Sequence, residues 1–176
     1  MKEKKFSTKQ LTLTAVLLAL CIAFQCFKSV SVYITGPAVN AILVMATLVC
    51  GLYGGLSIAV ISPVVAYFLG ATPIINMIPL MILVIMVGNA ILVVFTHVMK
   101  KKLVAGLLCG SVCKALFLWL VVWYVMLPVF GANIPEAAQA TMRVTFSVTQ
   151  LITALIGSAV AYVIYWRIGA HAQRSR

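Results

Sequence analysis

The chain has 176 residues, of which 64% are hydrophobic and 9% are charged. Soluble domains are about 45–50% apolar and about 25% charged, so this composition excludes an ordinary soluble domain and indicates an integral membrane protein. The net charge of +11 does not indicate a nucleic-acid partner, because the basic residues lie between apolar segments and reflect how the chain crosses the bilayer. We expect a single transmembrane domain over residues 1–176.

The chain contains two acidic residues, Glu3 and Glu136, and both lie outside the apolar segments. Pumps and proton-coupled carriers use carboxylates inside the membrane as relays, so their absence weighs against ion- or proton-driven transport by this chain alone. The sequence also lacks a GxxxxGK[ST] phosphate loop, an HExxH pair and a GxSxG motif. The five cysteines show no spacing typical of a zinc site. We therefore predict a protein that is not an enzyme, with no cofactor and no metal site.

The apolar segments predict six membrane-spanning helices. A basic N-terminal tail precedes the first apolar run, and no convincing cleavage site follows that run, so we expect an uncleaved helix. The uncharged stretch from Gly36 to Val98 is too long for one span of about 20 residues, and glycine-containing turns at 51–55 and 70–73 divide it into three. Gly106 and Gly110 form a GxxxG step suited to close helix packing. The six predicted helices cover about residues 11–27, 36–50, 55–69, 74–99, 103–127 and 142–166.

The distribution of basic residues predicts the orientation of these helices. Positive residues concentrate on the cytoplasmic side of membrane proteins. With six helices, one side receives ten lysines and arginines and the other receives two, Lys28 and Arg143. We therefore expect both termini in the cytoplasm, since five or seven helices would place one basic end outside.

Polar and aromatic residues within the helices form a candidate binding site for a small molecule. Ionisable groups inside membrane spans are functional candidates, and aromatic walls with a few polar groups are typical of ligand pockets. Each residue also has a simpler interpretation: a snorkelling lysine, an interhelical amide contact, an aromatic belt or an arginine at the headgroups. If both cations face the cavity, they favour an anion such as a carboxylate. The candidate substrate-binding residues are Asn76, Asn89, Lys114, Trp119, Trp123, Tyr124, Arg143 and Gln150.

The first predicted helix carries a strip of small residues. Ala15, Ala19 and Ala23 recur at four-residue spacing, which places them on one face where another helix can approach closely. Chance is the alternative explanation, because alanine is common in membrane helices.

With these features, the chain resembles the substrate-binding S components of energy-coupling factor (ECF) transporters, a family of prokaryotic micronutrient importers. The resemblance covers nearly the whole chain: its small size, six helices and two cytoplasmic ends. In that family the first helix carries an Ala-x-x-x-Ala face, which Ala15 and Ala19 match and Ala23 extends. Segments similar to those of uncharacterised members are Gly36-Pro-Ala-Val-Asn40, Gly54-Gly55, Pro79 and Gly88-Asn89.

The resemblance implies an all-α bundle of six transmembrane helices in a prokaryotic cell membrane. An outer-facing pocket would capture a vitamin or a similar compound, and the connections at 28–35, 70–73 and 128–141 would close over it. The alanine strip would dock on a T component bearing two ABC-type ATPases, and the subunit would topple to release its ligand inside. ATP hydrolysis on those partners would explain why this chain has no phosphate loop. The sequence does not match the motifs of the riboflavin, thiamine or biotin members.

Two other functions fit the same sequence. The chain could be a structural or assembly subunit of a membrane complex, without a ligand of its own. It could also be a stand-alone carrier, which concentrative uptake without an ATPase would support. Convergence of the polar residues of the outer half on one cavity would favour the binding subunit, whereas scatter toward lipid would favour the assembly subunit.

Overall fold

The computed structural model describes residues 7–27, 31–70 and 76–174, with side chains up to residue 168. These residues are predominantly helical and include no strand. Five of the described segments are long and apolar enough to cross a membrane, and Leu52–Phe68 is a shorter apolar helix. This confirms the predicted all-α membrane fold. The helices are α1 (Thr8–Cys26), α2 (Val32–Cys50), α3 (Leu52–Phe68), α4 (Met81–Val98), α5 (Leu103–Val121), α6 (Leu127–Phe130), α7 (Glu136–Thr145) and α8 (Val148–Arg174).

The second helix, α2, is at the centre of the bundle. It packs against α1, α3 and α4, and most extensively against α8. Leu43 and Val44, near its middle, are fully buried. In contrast, α1 lies at the periphery and buries only Thr14, Cys21 and Gln25. One face of α1 is therefore available to lipid or to a partner.

Glycines allow several helices to approach closely. A Cβ added at Gly106 would lie 2.7 Å from Cβ of Met99, and one added at Gly110 would lie 3.0 Å from Cβ of Phe95. The GxxxG step of α5 thus packs on α4, which confirms its predicted role.

Another close crossing joins α8 to α2 at Gly157. A Cβ added at Gly157 would lie 2.5 Å from the carbonyl oxygen of Pro37, 2.7 Å from Cβ of Asn40 and 2.9 Å from the backbone nitrogen of Ala41. Two of these three atoms belong to the backbone, so the crossing cannot adjust by a simple change of rotamer.

We expect Gly157→Ala to destabilise the bundle. Overpacking costs about 1–3 kcal/mol, which should lower Tm by roughly 3–10 °C in a protein of this size. Thermal unfolding of the purified protein in detergent measures the change. Gly131→Ala is the matched control, because its added Cβ would meet only the Gln139 side chain, at 3.4 Å or more. Equal Tm values for the two variants would contradict the tight crossing.

The connections between the first four helices differ from the prediction. The second helix starts at Val32, four residues before the predicted start at residue 36. Gly51, with φ of 83°, makes the turn between α2 and α3. Gly54 and Gly55 do not turn the chain, because they lie buried in the first turns of α3. The first part of the predicted 28–35 connection, including Lys28, lies outside the described residues.

The fourth helix starts at Met81 and not at the predicted residue 74. Residues 71–75 lie outside the described part of the chain. Pro79 occupies a turn just before the helix. Proline has no N–H to donate and disfavours helical backbone in the residue before it, which separates this turn from α4.

The predicted 128–141 connection is largely helical. It contains most of α6, a 3₁₀ turn at Gly131–Asn133 and the first part of α7. The predicted last helix at 142–166 is interrupted before α8, which then continues to Arg174. The sequence of α7, EAAQATMRVT, combines strong helix formers with polar residues. A search for apolar runs therefore misses this helix.

Candidate functional site

A buried lysine lies in the interior of the bundle. The Nζ atom of Lys114 donates hydrogen bonds to Oδ1 of Asn40 at 2.5 Å and to Oδ1 of Asn89 at 2.8 Å. All three side chains are buried. An ammonium group in an apolar interior is costly unless polar groups surround it, and these two amide oxygens supply that environment. The group thus links α2, α4 and α5.

The periodicity of the helices brings these residues together. On α5, Ser111, Lys114, Ala115 and Leu118 are all buried, as expected for positions three, four and seven residues apart on one face. On α4, Gly88 and Asn89 are buried, and a Cβ added at Gly88 would lie 3.1 Å from Leu118. The close approach of α4 and α5 at Gly88 brings Asn89 within reach of Lys114.

A cavity of about 60 Å³ lies beside Lys114. It has room for a few water molecules. Each of the six long helices contributes to its wall, and Lys114 is the one ionisable side chain among the described residues that line it. The polar lining residues are Gln25, Thr35, Asn40, Ser62, Asn89, Lys114 and Gln150.

The cavity lies toward one end of the bundle. Gln25 is near the end of α1, Thr35 near the start of α2, and Gln150 near the start of α8. The lining residues of α3, α4 and α5 come from the middle of each helix or from the half near the same end. This is the end at which the connections α1–α2, α3–α4 and α5–α8 occur. The cavity therefore lies at the end of the bundle where α1, α3 and α5 end and where α2, α4 and α8 begin, the end predicted to bind a ligand.

Two buried polar atoms in the cavity wall have no hydrogen-bond partner among the described residues: Oε1 of Gln25 and Oγ of Ser62. The two residues contact each other through other atoms, since Nε2 of Gln25 donates to the carbonyl oxygen of Ser62 at 3.2 Å. Buried polar groups nearly always have hydrogen-bond partners in native proteins, so the lack of a partner for these two atoms requires an explanation.

Three of the eight predicted site residues line this cavity: Asn89, Lys114 and Gln150. Asn76 lies elsewhere, exposed in a short helical stretch before the turn that precedes α4. The other four, Trp119, Trp123, Tyr124 and Arg143, form a separate cluster.

This cluster lies where α5 ends. The ring centroid of Trp119 is 6.3 Å from that of Trp123 and 6.2 Å from that of Tyr124. The guanidinium carbon of Arg143, on α7, lies 4.9 Å from the centroid of the Trp123 ring, a cation–π distance. Residues Val122–Met126 form a π-helical turn. Because that turn widens the helix, both Trp123 and Tyr124 reach Trp119.

Trp119 also lines a second, apolar groove between α5 and α8, with Val148 and Leu151. The aromatic cluster and the cavity do not share a lining residue. The predicted site thus divides into an interior polar group and an outer aromatic group.

Gln25, Thr35 and Ser62 were not predicted as site residues, and Asn40 was predicted only as part of the Gly36-Pro-Ala-Val-Asn40 segment that resembles family members. Each is a single uncharged polar residue inside an apolar helix. Two features of the sequence could have identified them as candidate site residues. Gln25 is a large amide near the end of the first span, and Ser62 directly precedes Pro63 inside a helix.

The alanine strip of α1 faces outward. Ala15, Ala19 and Ala23 are all exposed, together with the neighbouring Leu11, Val16 and Leu20. The other face of α1 is packed, since Thr14, Cys21 and Gln25 are buried there. The helix α1 therefore presents the alanine strip on its outer face and Gln25 to the cavity.

Comparison with protein families finds a match over most of the chain. The model of the family described as "ECF transporter, substrate-specific component" matches residues 9–169. No curated protein and no solved structure matches the chain.

Proposed function

The chain belongs to the substrate-specific components of ECF transporters, and we propose that it captures a small anionic compound in the cavity beside Lys114. As a member of this family it is a multi-pass membrane protein and a substrate-binding transport subunit, not a catalytic one. The ligand is a vitamin or a similar micronutrient, and the membrane is that of a prokaryotic cell.

The buried Lys114 in the cavity wall is the main evidence that the ligand is anionic. Its ammonium group brings one positive charge to a cavity whose other lining residues are neutral. An anionic oxygen bound next to it forms a charge-assisted hydrogen bond, which is about twice as strong as a neutral one. Asn40 and Asn89 hold the ammonium group in place for that contact.

The charge distribution supports an outward-facing cavity. The end of the bundle opposite the cavity carries Lys9, Lys100, Lys101 and Lys102, whereas Arg143 lies near the cavity end. By the positive-inside rule the lysine-rich end is cytoplasmic. Both termini are then cytoplasmic, and the cavity opens toward the outer side.

A vitamin-sized ligand does not fit the cavity as it stands, since pockets for such compounds are several times larger. The cavity therefore holds the anionic part of the ligand, and the rest of the ligand extends toward the outer end of the bundle. We assign the remaining predicted site residues to the entrance, because they lie near that end. These residues are Asn76, Trp119, Trp123, Tyr124 and Arg143.

The exposed alanine strip of α1 supports docking on the T component. Small side chains allow a partner helix to approach closely, and they do not interlock, so the contact can be reversed. Two ABC-type ATPases bound to the T component supply ATP hydrolysis. This division of labour agrees with a chain that has no phosphate loop.

A pull-down of the tagged protein from native membranes in mild detergent tests the proposal. We expect mass spectrometry to find a T-type membrane subunit, two ABC-type ATPases and a small acidic compound in stoichiometric amount. Recovery of the chain alone, under conditions that preserve another ECF complex, would favour a stand-alone carrier. Recovery with an unrelated membrane complex would favour an assembly subunit.

A further inference from the structure

We propose that the ligand of the Lys114 cavity is an acid that also carries an O–H or N–H donor, and that Gln25 and Ser62 recognise this donor. The inference rests on the function proposed above and names the substrate class more closely. It is based on two buried atoms of cavity-lining residues, Oε1 of Gln25 and Oγ of Ser62, which have no hydrogen-bond partner among the described residues.

The hydrogen-bonding capacity of these residues defines the ligand group that fits them. The amide nitrogen of Gln25 already donates to the carbonyl oxygen of Ser62, which leaves Oε1 of Gln25 as an acceptor. A carbonyl oxygen only accepts, so its ligand partner has to donate. The hydroxyl group of Ser62 can donate or accept, so a ligand O–H group can donate to Gln25 and accept from Ser62, and a ligand NH₂ or NH₃⁺ group can donate to both.

Burial of these two atoms makes the site discriminate between ligands with and without a hydrogen-bond donor. Gln25 is 4% exposed and Ser62 is fully buried, so bulk water does not hydrate them as it would at a surface. A compound that lacks the donor leaves Oε1 of Gln25 unsatisfied inside the protein, whereas a compound that has it removes this penalty. Sites built to bond a hydroxyl group reject analogues without one far more strongly than apolar pockets reject an extra methylene.

The small size of the cavity limits the distance between the two ligand groups. Gln25, Ser62 and Lys114 all line the same space of about 60 Å³. Lys114 donates to the anionic oxygen, and Gln25 accepts from the donor group. The acid and the donor are therefore separated by only a few bonds, as in a hydroxy acid or an amino acid. The remainder of a larger ligand extends toward the entrance.

Three matched small acids test the inference: glycolate, propionate and methoxyacetate. Propionate replaces the hydroxyl group of glycolate with a methyl group, and methoxyacetate keeps the oxygen but has no donor. Thermal unfolding of the purified full-length protein in detergent, titrated with each acid, gives the half-saturating concentrations. We expect the value for glycolate to be at least about tenfold lower than the values for the other two.

The variants Ser62→Ala and Gln25→Leu should reduce this preference to about twofold or less, without weakening propionate binding. Ser57→Ala is the matched control, because Ser57 is an exposed serine on the same helix. Its hydroxyl group donates a hydrogen bond to the backbone carbonyl oxygen of Tyr53. If Gln25→Leu fails to fold, Ser62→Ala provides the test alone.

Equal binding of the three acids would overturn the inference, and so would a preference for glycolate that both variants retain. If the three acids bound equally and their binding was lost without Lys114, the proposal of an anionic ligand would still be supported. Absence of saturable glycolate binding would also overturn the inference, since water would then be sufficient to satisfy the two atoms. The pull-down tests the transporter subunit independently of all these results.

Discussion

Replacing Lys114 with methionine should remove at least about 95% of the acidic ligand that the wild-type protein retains on purification. Loss of one partner of a buried charge pair costs about 2–5 kcal/mol, which corresponds to roughly 30-fold or more in affinity. The methionine side chain fills the same volume but offers neither charge nor donor. Mass spectrometry of the extracted small molecules, per mole of protein, measures the loss.

A second variant separates the charge from the hydrogen bonds. Lys114→Gln keeps an N–H donor for Asn40 and Asn89, so the polar group of the interior remains bonded in a protein without the positive charge. We expect it to fold like the wild type and to lose the ligand nearly as completely. Lys101→Met is the matched control, because Lys101 is exposed at the other end of the bundle. Normal ligand retention by both Lys114 variants would exclude the lysine from the site.

The transmembrane fold could be predicted because it depends on properties that a sequence shows directly. Apolar length gives the spans, glycine and proline mark most of the turns, and the GxxxG step of α5 marks a close crossing. Residues 136–141, the first part of α7, were predicted as part of a connection for the same reason. Hydropathy measures affinity for lipid, whereas α7 owes its helix to alanine, glutamate and glutamine, which favour helices in any solvent.

The site was harder to predict because both surfaces of a membrane helix are apolar. In a soluble helix, polar residues mark the outer face. In a membrane helix, the interior and the lipid both accept apolar side chains, so a lone Gln25 or Ser62 does not reveal which face is inside. Lys114 was predicted as a site residue because a charged side chain has a high free-energy cost anywhere in the membrane. Its amide partners Asn40 and Asn89 depend on the crossings of α2, α4 and α5, which no local pattern specifies.

The second large effect concerns the outer face of α1. Ala15→Leu combined with Ala19→Leu should abolish uptake and the recovery of the T component and ATPases, while ligand retention stays within about twofold of wild type. Both alanines are exposed, so leucine does not disturb the interior of the subunit. Each larger side chain would separate the two helix backbones that the small residues allow to meet.

The comparison of the two readouts, ligand retention and complex recovery, is what makes this variant informative. Ala159→Leu provides the control, because Ala159 is also an exposed alanine, on α8, and its replacement should leave both readouts unchanged. Loss of ligand in the α1 variant, with normal folding, would instead mean that the alanine face belongs to the binding site. Intact complexes would move the docking surface to another helix. The expected pattern, binding without docking, follows because α1 carries the two roles on opposite faces, with Gln25 inside and the alanine strip outside.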